Sequence, residues 1–414
     1  MTTRLREELH REAETAKTYD VYAGSLATAR RSRRRIAAAW LAVLAAVAVA
    51  VPVVPAARRD TPAGEKAAMR LPDQVGDPPF GELRTTAYPH LGAASMVYMA
   101  PTWRYGPATD DADQFAVVAA EGDGYRTQQV TFGEDRILLS PDGRIIATAT
   151  VLVDLATGRS RPLPGEGGVP LAWSPDGHKL VLSGEYLTIV DVTTGGSVRL
   201  APADEWASAA WSPDGRQLAY TTALGFVLTD AAGARTAQGS LPPGSILAGK
   251  GAWTPDGNSI GVMSKDPRSW PPTWLDVDHG GRVSPGPGNL PAVPAEAGQA
   301  DLLGWWPDGS AIVFVSNPTT GSARVLTLTP GAPAAQRAVA VPSYVHSLDV
   351  ADAAIASGLV RHADLPFFMG PFVWAWIVGL AGVAVAAFLL RRRRRRRRPR
   401  RTPAYPWETD FGTV

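Results

Sequence analysis

The sequence predicts a mainly β fold, a β-propeller of six four-stranded blades with seven as the alternative, flanked by two transmembrane α-helices. Three observations predict it. A short turn sequence recurs five times at blade-like spacing. Short apolar runs bounded by Gly, Pro or Asp surround each copy. Two stretches of 19 uncharged residues flank the repeats, and each is bordered by arginines.

The turn reads Ser140-Pro141-Asp142-Gly143 after Leu139, then Trp173-Ser174-Pro175-Asp176-Gly177 and Trp211-Ser212-Pro213-Asp214-Gly215. It returns as Trp253-Thr254-Pro255-Asp256-Gly257 and as Trp305-Trp306-Pro307-Asp308-Gly309. Successive prolines lie 34, 38, 42 and 52 residues apart, a period that signals a repeat architecture. Pro-Asp-Gly is tight-turn chemistry: proline presets φ, aspartate tolerates the next position and glycine accepts φ > 0. These prolines, aspartates and glycines are therefore expected as structural turns, with the tryptophans as large apolar contributions between units.

Each unit holds four short strands. Around Trp173, Leu171-Ala172-Trp173 leads in and Leu180-Val181-Leu182 leads out. Leu187–Val190, a turn at Thr193–Gly196, and Val198–Leu200 complete the unit. Four-stranded units at this spacing mark propeller blades. The sixth blade is expected to be composite. Val345–Ala356 supplies one or two strands (His346–Leu348, Ala354–Ala356), and Ser95–Ala100, Phe115–Ala120 and Tyr125–Val130 supply the rest. Closing the ring with strands from both ends removes sheet edges. It brings residues near 85 and 360 together, so both membrane spans can leave the same face.

These W-S-P-D-G repeats resemble the TolB-like, WD-type propeller repeats that also occur in the propeller of prolyl oligopeptidases. The resemblance covers about residues 131–340. Leu139 stands where tryptophan is expected and Trp306 occupies a serine slot, which alters packing and leaves the turns intact. The resemblance implies a propeller and a protein- or ligand-binding role. It does not imply catalysis.

The first uncharged stretch is Ile36–Val54 and the second is Phe372–Leu390, each 19 residues. As helices they span about 28 Å, close to the ~30 Å hydrocarbon core. Trp374 and Trp376 begin the second, where amphipathic rings favour the headgroup region. Arg30, Arg31 and Arg33–Arg35 precede the first span and Arg391–Arg398 follow the second. Positive flanks stay cytoplasmic, so both termini are expected inside the plasma membrane and the propeller outside it. Charge is sorted the same way: residues 1–35 carry about +4, 391–414 about +8 and 60–365 about −12, within a net +2. A cleaved signal peptide is the alternative for the first stretch, a buried core helix for the second, and a nucleic-acid patch for the arginine run. Placed against a span, that run reads as a stop-transfer anchor that attracts anionic lipid, so no nucleic-acid partner is expected.

The expected organisation is a cytoplasmic tail over 1–35, a transmembrane helix over 36–57 and a linker over 58–82. The propeller follows over 83–362, then a linker over 363–371, a second transmembrane helix over 372–390 and an arginine-rich tail over 391–414. The 36 arginines against 5 lysines, with abundant Ala, Gly and Pro, point to a high-GC genome of the actinobacterial kind.

Catalytic, cofactor and metal motifs are not found. The chain has no cysteine, which excludes disulfide scaffolds and thiolate chemistry. Gly244–Lys250 matches most of a P-loop, but Gly251 stands where a Mg²⁺-binding hydroxyl is required, so the segment reads as an inter-blade loop. Asp110, Asp111 and Asp113, with Glu121 and Asp123, fail EF-hand spacing. His10, His90, His178, His279, His346 and His362 lack the spacing of a zinc helix and read as surface or satisfied residues. No G-x-S-x-G elbow occurs, and no hydrolase domain is expected. The aspartates of the five turns sit on separate blades and do not form a carboxylate set.

Residues 4–15 fit one short helix, similar to the cytoplasmic heads of actinobacterial membrane regulators, including anti-sigma factors, but too short for a complete sigma-binding domain. The expected function is therefore a membrane-anchored extracytoplasmic module that binds a protein, peptide or envelope ligand. The alternative is a transmembrane sensor whose tails engage a cytoplasmic partner.

Overall fold

The computed structural model describes residues 68–78, 91–100, 112–131 and 136–396, except 166, 205–206, 224, 242–243, 265–269, 271, 278–281, 285–288, 295–296, 318 and 367–370. The chain divides into two compact units, Thr61–Phe372 and Met1–Asp60 with Val373–Val414.

In the larger unit, β1 (Leu71–Pro72) precedes the blades. Blade 1 receives β2 (Ala94–Ala100), β3 (Ala112–Ala119) and β4 (Tyr125–Thr131). Blade 2 is β5 (Leu138–Leu139), β6 (Ile145–Ala147), β7 (Val151–Asp154) and β8 (Ser160–Pro162). Blade 3 is β9 (Val169–Trp173), β10 (Lys179–Ser183), β11 (Tyr186–Asp191) and β12 (Ser197–Pro202). Blade 4 is β13 (Ala209–Trp211), β14 (Gln217–Thr222), β15 (Gly225–Asp230) and β16 (Arg235–Gly239). Blade 5 is β17 (Ser245–Leu247), β18 (Ser259–Ser264), β19 (Thr273–Asp276) and β20 (Arg282–Ser284). Blade 6 is β21 (Gln299–Trp305), β22 (Ala311–Asn317), β23 (Ser322–Leu328) and β24 (Gln336–Val339). After β25 (Leu348–Val350) come α1 (Asp352–Ala356), β26 (Val360–Arg361) and α2 (Pro371–Arg396).

The sheets make six antiparallel blades, so the ring is a six-bladed propeller. Blades 2–6 are simple meanders. Blade 1 is composite, in the order β25-β2-β3-β4, with its innermost strand returned from the far end of the chain. Met96 pairs with Val350 and Tyr98 with Leu348. Ala354–Ala356, expected as strand, instead belong to α1.

Short continuous apolar runs explain the middle strands: six of seven side chains in β22 and the central three of five in β10 are buried, because both faces of a blade pack on neighbouring blades. The outer strands β8 and β12 are exposed along most of their length. Met96, Tyr98, Phe115, Ile146, Phe314 and Ile355 share one buried cluster across blades 1, 2 and 6. Apolar contact thus seals the junction where the chain's two ends meet.

The segments on either side of the propeller are not free linkers. Residues 68–78 of the expected 58–82 linker contain β1, which pairs in parallel with β26, Leu71 opposite Val360. The Tyr98 hydroxyl donates to Gly76 O at 2.5 Å, and Gln74 Nε2 to Ala363 O at 2.7 Å. Arg361 pairs with Asp123 at 2.5 Å. The two ends of the propeller therefore lie side by side. Residue 85 lies outside the described residues.

The described part of the second unit is α2. Among the described residues no helix is long and apolar enough to cross a membrane. In α2 the described side chains are those of Trp376, Ile377 and Gly379–Arg393. They include Leu380, Val383, Val385, Phe388, Leu389 and Leu390, all exposed. The first expected span, 36–57, lies outside the described residues.

Candidate binding channel

The five repeat turns form one rim of the ring. In each, glycine takes a left-handed φ, between 67° for Gly143 and 82° for Gly309. The glycine N–H donates back to the residue before proline, as from Gly177 to Ser174 O at 2.8 Å. The aspartate has a second job that the turn chemistry alone does not show. Ser174 Oγ donates to Asp176 Oδ1 at 2.5 Å, and His178 N–H donates to the same oxygen at 3.0 Å. Ser140–Asp142, Ser212–Asp214 and Thr254–Asp256 repeat this at 2.7, 2.7 and 2.6 Å. Lys179 N–H completes the lock on Ser174 Oγ at 2.8 Å. Blade 6 has Trp306 in that slot, and its hairpin closes one residue sooner, Trp306 N–H bonding Ser310 O where Ser174 bonds Lys179 O.

These networks shift the turn carboxylates. Burial pushes the Asp176 carboxyl up, but the Ser174 hydroxyl and His178 N–H outweigh it and hold it below the usual range. The Ser212 hydroxyl does the same for Asp214, and the Thr254 hydroxyl for Asp256.

Successive turns touch. A methyl group on Gly177 would lie 3.7 Å from Cδ of Pro141, and one on Gly215 would lie 3.5 Å from Cδ of Pro175. Gly257 meets Pro213 at 4.0 Å in the same way. Blade 1 lacks the turn sequence, and the end of α1 fills its place: a methyl group on Gly358, which holds φ at 66°, would lie 3.2 Å from Cδ of Pro307. Ala353 N–H in turn donates to Pro141 O at 2.8 Å. The repeat tryptophans sit between blades. Trp253 Nε1 donates to Ala210 O of blade 4 at 3.0 Å, and Trp305 Nε1 to Gly251 O of blade 5 at 2.9 Å. The buried Nε1 atoms of Trp173 and Trp211 have no such acceptor.

None of Pro141, Pro175, Pro213, Pro255, Pro307 or their following Asp and Gly lines the cavity at the centre of the ring. That cavity, of about 790 Å³, is the central channel, walled by the first residues of the inner strands of all six blades. Each inner strand starts at the cavity and ends at its turn, so the cavity opens toward the face opposite the turn rim. Its wall is mostly apolar, with Ile137, Leu171, Leu247, Leu303 and Phe314 contributing.

Charged groups cross the channel. Gly249–Gly251 bulge out of blade 5 between β17 and Trp253, held by Leu302 N–H to Ala248 O at 2.7 Å and Gly251 N–H to Leu302 O at 2.9 Å. The segment that resembled a P-loop is therefore part of the inner edge of blade 5, not a loop between blades. The bulge sends Lys250 across to blade 1. Its Nζ donates to Asp349 Oδ1 and Asp352 Oδ1, both at 2.8 Å, and to Val350 O at 2.5 Å. Asp349 Oδ2 accepts from Leu139 N–H of blade 2 at 2.7 Å. Burial alone would lower the Lys250 pKa, but the two carboxylates outweigh it and hold the ammonium above the ordinary lysine range.

Asp301 lines the same channel from β21. Burial pushes its carboxyl up; Arg136 and Lys250 pull it back, and Asp349 adds to the rise. His346 lines the cavity and is exposed. His178 and His362 are exposed, His362 beside Asp73 at 2.8 Å. His10, His90, His279, Asp110 and Asp111 lie outside the described residues, and Asp123 serves the Arg361 pair. No cluster of His, Asp and Glu suited to a metal ion occurs among the described residues.

Sequence reasoning missed Lys250, Asp301 and Asp349. The available signal was the charge itself. Lys250 is one of only 5 lysines. Asp301 and Asp349 interrupt the apolar runs Gln299–Trp305 and Leu348–Val350 that enter the ring.

No protein-family model matches the chain, and no curated protein matches it. Solved structures do. TolB from Acinetobacter baumannii is 18% identical, over 59% of this chain and 67% of its own, with a TM-score of 0.32. An oligogalacturonate lyase in complex with manganese is 16% identical, over 62% of this chain and 76% of its own, with a TM-score of 0.36. A chain of a mitotic checkpoint complex is 13% identical, over 67% of this chain and 88% of its own, with a TM-score of 0.37. At these values the likenesses carry no argument about activity. The six-bladed ring rests on the strand pairing above.

Proposed function

We propose that this protein is a membrane-anchored binding module whose propeller faces the extracytoplasmic side and receives a protein or peptide segment in its central channel. The observation that carries the reading is the channel itself: about 790 Å³, with a mostly apolar wall that also carries Arg136, Lys250, Asp301 and Asp349, within the size range of ligand sites. Binding rather than turnover is supported by Lys250. All three of its N–H donors are taken by Asp349, Asp352 and Val350, so it does not serve as a free base. Anchoring is supported by α2. Exposed apolar side chains at Leu380, Val383, Val385 and Phe388 point to different sides of the helix, the pattern of a helix that meets lipid or a core all round. Charged arginines follow directly, as at a cytoplasmic span end. The relay alternative has no comparable support, because most of its tail residues lie outside the described residues.

Two matched positions test the channel. Val169 lines it and Val198 lies on the outer strand of blade 3, with exposures of 41% and 42%. A photocrosslinking amino acid at Val169 is expected to give an adduct in intact cells, and the same group at Val198 is not. Equal adducts, or none at either site, would overturn the reading. Placement is tested with single cysteines in the cysteine-free chain. Thr194, exposed beside a turn, suits this better than the buried Ser140. Thr194→Cys should react with an impermeant maleimide on intact cells, and Ser32→Cys only after lysis; the reverse pattern would put the propeller inside.

A further inference from the structure

Two charged side chains in the channel wall take no part in the Lys250 network. Arg136 enters the cavity just ahead of β5 in blade 2, and Asp301 enters it from β21 in blade 6. Among the described residues neither makes a hydrogen bond or an ion pair. They feel one another electrostatically, yet they do not touch. A cation and an anion thus share one cavity with a gap between them.

The blade 5 bulge packs closely on β21 here. A methyl group on Gly249 would lie 2.3 Å from Asp301 Oδ1 and 2.5 Å from Leu302 O, and Gly249 holds φ at 136°. Lys250 acts on Asp301 only through space, since every Lys250 donor points at blade 1. Asp301 is half-buried and no protein donor among the described residues completes its carboxylate, so its oxygens are left for water or a ligand. The same wall carries Lys250 and Asp349 and, among its apolar residues, the accessible Val169 and Ile246.

We infer that the channel recognises a small zwitterion, an apolar amino acid or short peptide, with its ammonium on Asp301 and its carboxylate on Arg136. The apolar side chains of the ligand would lie against the accessible apolar part of the wall, at Val169 and Ile246. This inference rests on the channel being the binding site. It differs from recognition of a cation alone, which would leave Arg136 unused, and from recognition of an anion, which Asp301 would repel.

The test is calorimetric titration of the full detergent-solubilised chain with L-leucine, L-alanyl-L-leucine and L-alanyl-L-leucyl-L-alanine, each also as its N-acetyl and C-terminal amide forms. At least one free zwitterion should bind, and either blocking group should weaken it by about tenfold or more. Which length binds best separates an amino acid from a peptide. Asp301→Asn should abolish the penalty for N-acetylation, and Arg136→Gln the penalty for amidation, each leaving the other intact. Both variants can be checked for folding by their melting curves. Equal binding of free and blocked forms would overturn the inference. So would no binding at all; if the Val169 adduct still forms in that case, the channel remains a binding site and only the zwitterion is refuted.

Discussion

Replacing Lys250 with methionine should destabilise the propeller more than any other single truncation in the channel. The lysine side chain is 11% exposed and its partner Asp349 only 3%. Removing the ammonium leaves Asp349 buried with one remaining donor, Leu139 N–H. Breaking a buried pair by deleting one partner costs about 3–5 kcal/mol. Asp352 contributes little to that figure, because its side chain is 46% exposed and solvent screens such pairs to about 1 kcal/mol or less. At roughly 2–4 °C per kcal/mol for a domain of this general size, Lys250→Met should lower Tm by about 6–20 °C. The assay is thermal melting of the full chain by circular dichroism, with urea unfolding to supply the free energy. A double variant isolates the cause. Adding Asp349→Asn removes the stranded charge and should restore a substantial part of the loss. Asp352→Asn alone should shift Tm far less. If Lys250→Met melts with the parent, or the double variant is no better than the single, the charge network does not hold the ring together.

Four further outcomes follow from the same geometry. Gly143→Ala and Gly309→Ala both force a side chain onto a left-handed backbone, at about 1–2 kcal/mol. Only Gly143 also places the new Cβ 2.1 Å from Ala94 O, so its urea midpoint should fall at least about twice as far. Trp253→Phe strands Ala210 O, whereas Trp211→Phe deletes an indole N–H that has no acceptor; the first should cost about 1 kcal/mol more by denaturant titration. Asp176, Asp214 and Asp256 have carboxyls held below the ordinary 3.8. Their contribution to stability is present above that pH and lost as pH falls through the lowered values. A triple Asp→Asn variant should therefore be less stable than the parent at neutral pH and converge with it in acid, read as Tm against pH. Asp301 runs the other way, its carboxyl raised above 3.8. Its burden on folding is absent in acid and grows as pH rises through the raised value, so Asp301→Asn should gain on the parent toward neutral pH.

The repeat units were legible because turn chemistry is local. Proline, aspartate and glycine at Pro175–Gly177 specify their own backbone, and the strands on either side declare themselves by short apolar runs. The composite blade was legible for a related reason: strands left over at both ends can bury their faces only by meeting. What lay beyond local reading was α1. Ala354–Ala356 are apolar and short, as a strand would be, and become helical because the chain must turn where blade 1 has no Pro-Asp-Gly. The strap at Leu71–Pro72 was hidden too, since Pro72 and its neighbours carry the composition of a linker and acquire order only by pairing with Val360–Arg361. Lys250 was hidden most deeply. Its glycine-rich surroundings suggested a phosphate loop, and only the bulge between two glycine-flanked positions shows that they serve to throw one side chain across the channel.

The placement of that network has a topological reason. Five blades have their inner strand joined to the next by a turn, and their closure is covalent. Blade 1 is the exception, because β25 arrives from the C-terminal side and pairs with β2 only at Met96, Val97 and Tyr98, extended by Met99 N–H to Ser347 O and Ala351 N–H to Ser95 O. Three residues of ladder make a weak seam for a ring of this size. Asp349, the middle residue of β25, is the one that reaches Leu139 of blade 2 and Lys250 of blade 5. The charged contacts therefore concentrate on the strand with least covalent support. The same strand also forms part of the cavity wall through Leu348 and Asp349. Closure of the ring and shape of the binding channel depend on the same few atoms. A ligand that fills the channel would bear on the seam, and whatever loosens the seam would deform the site.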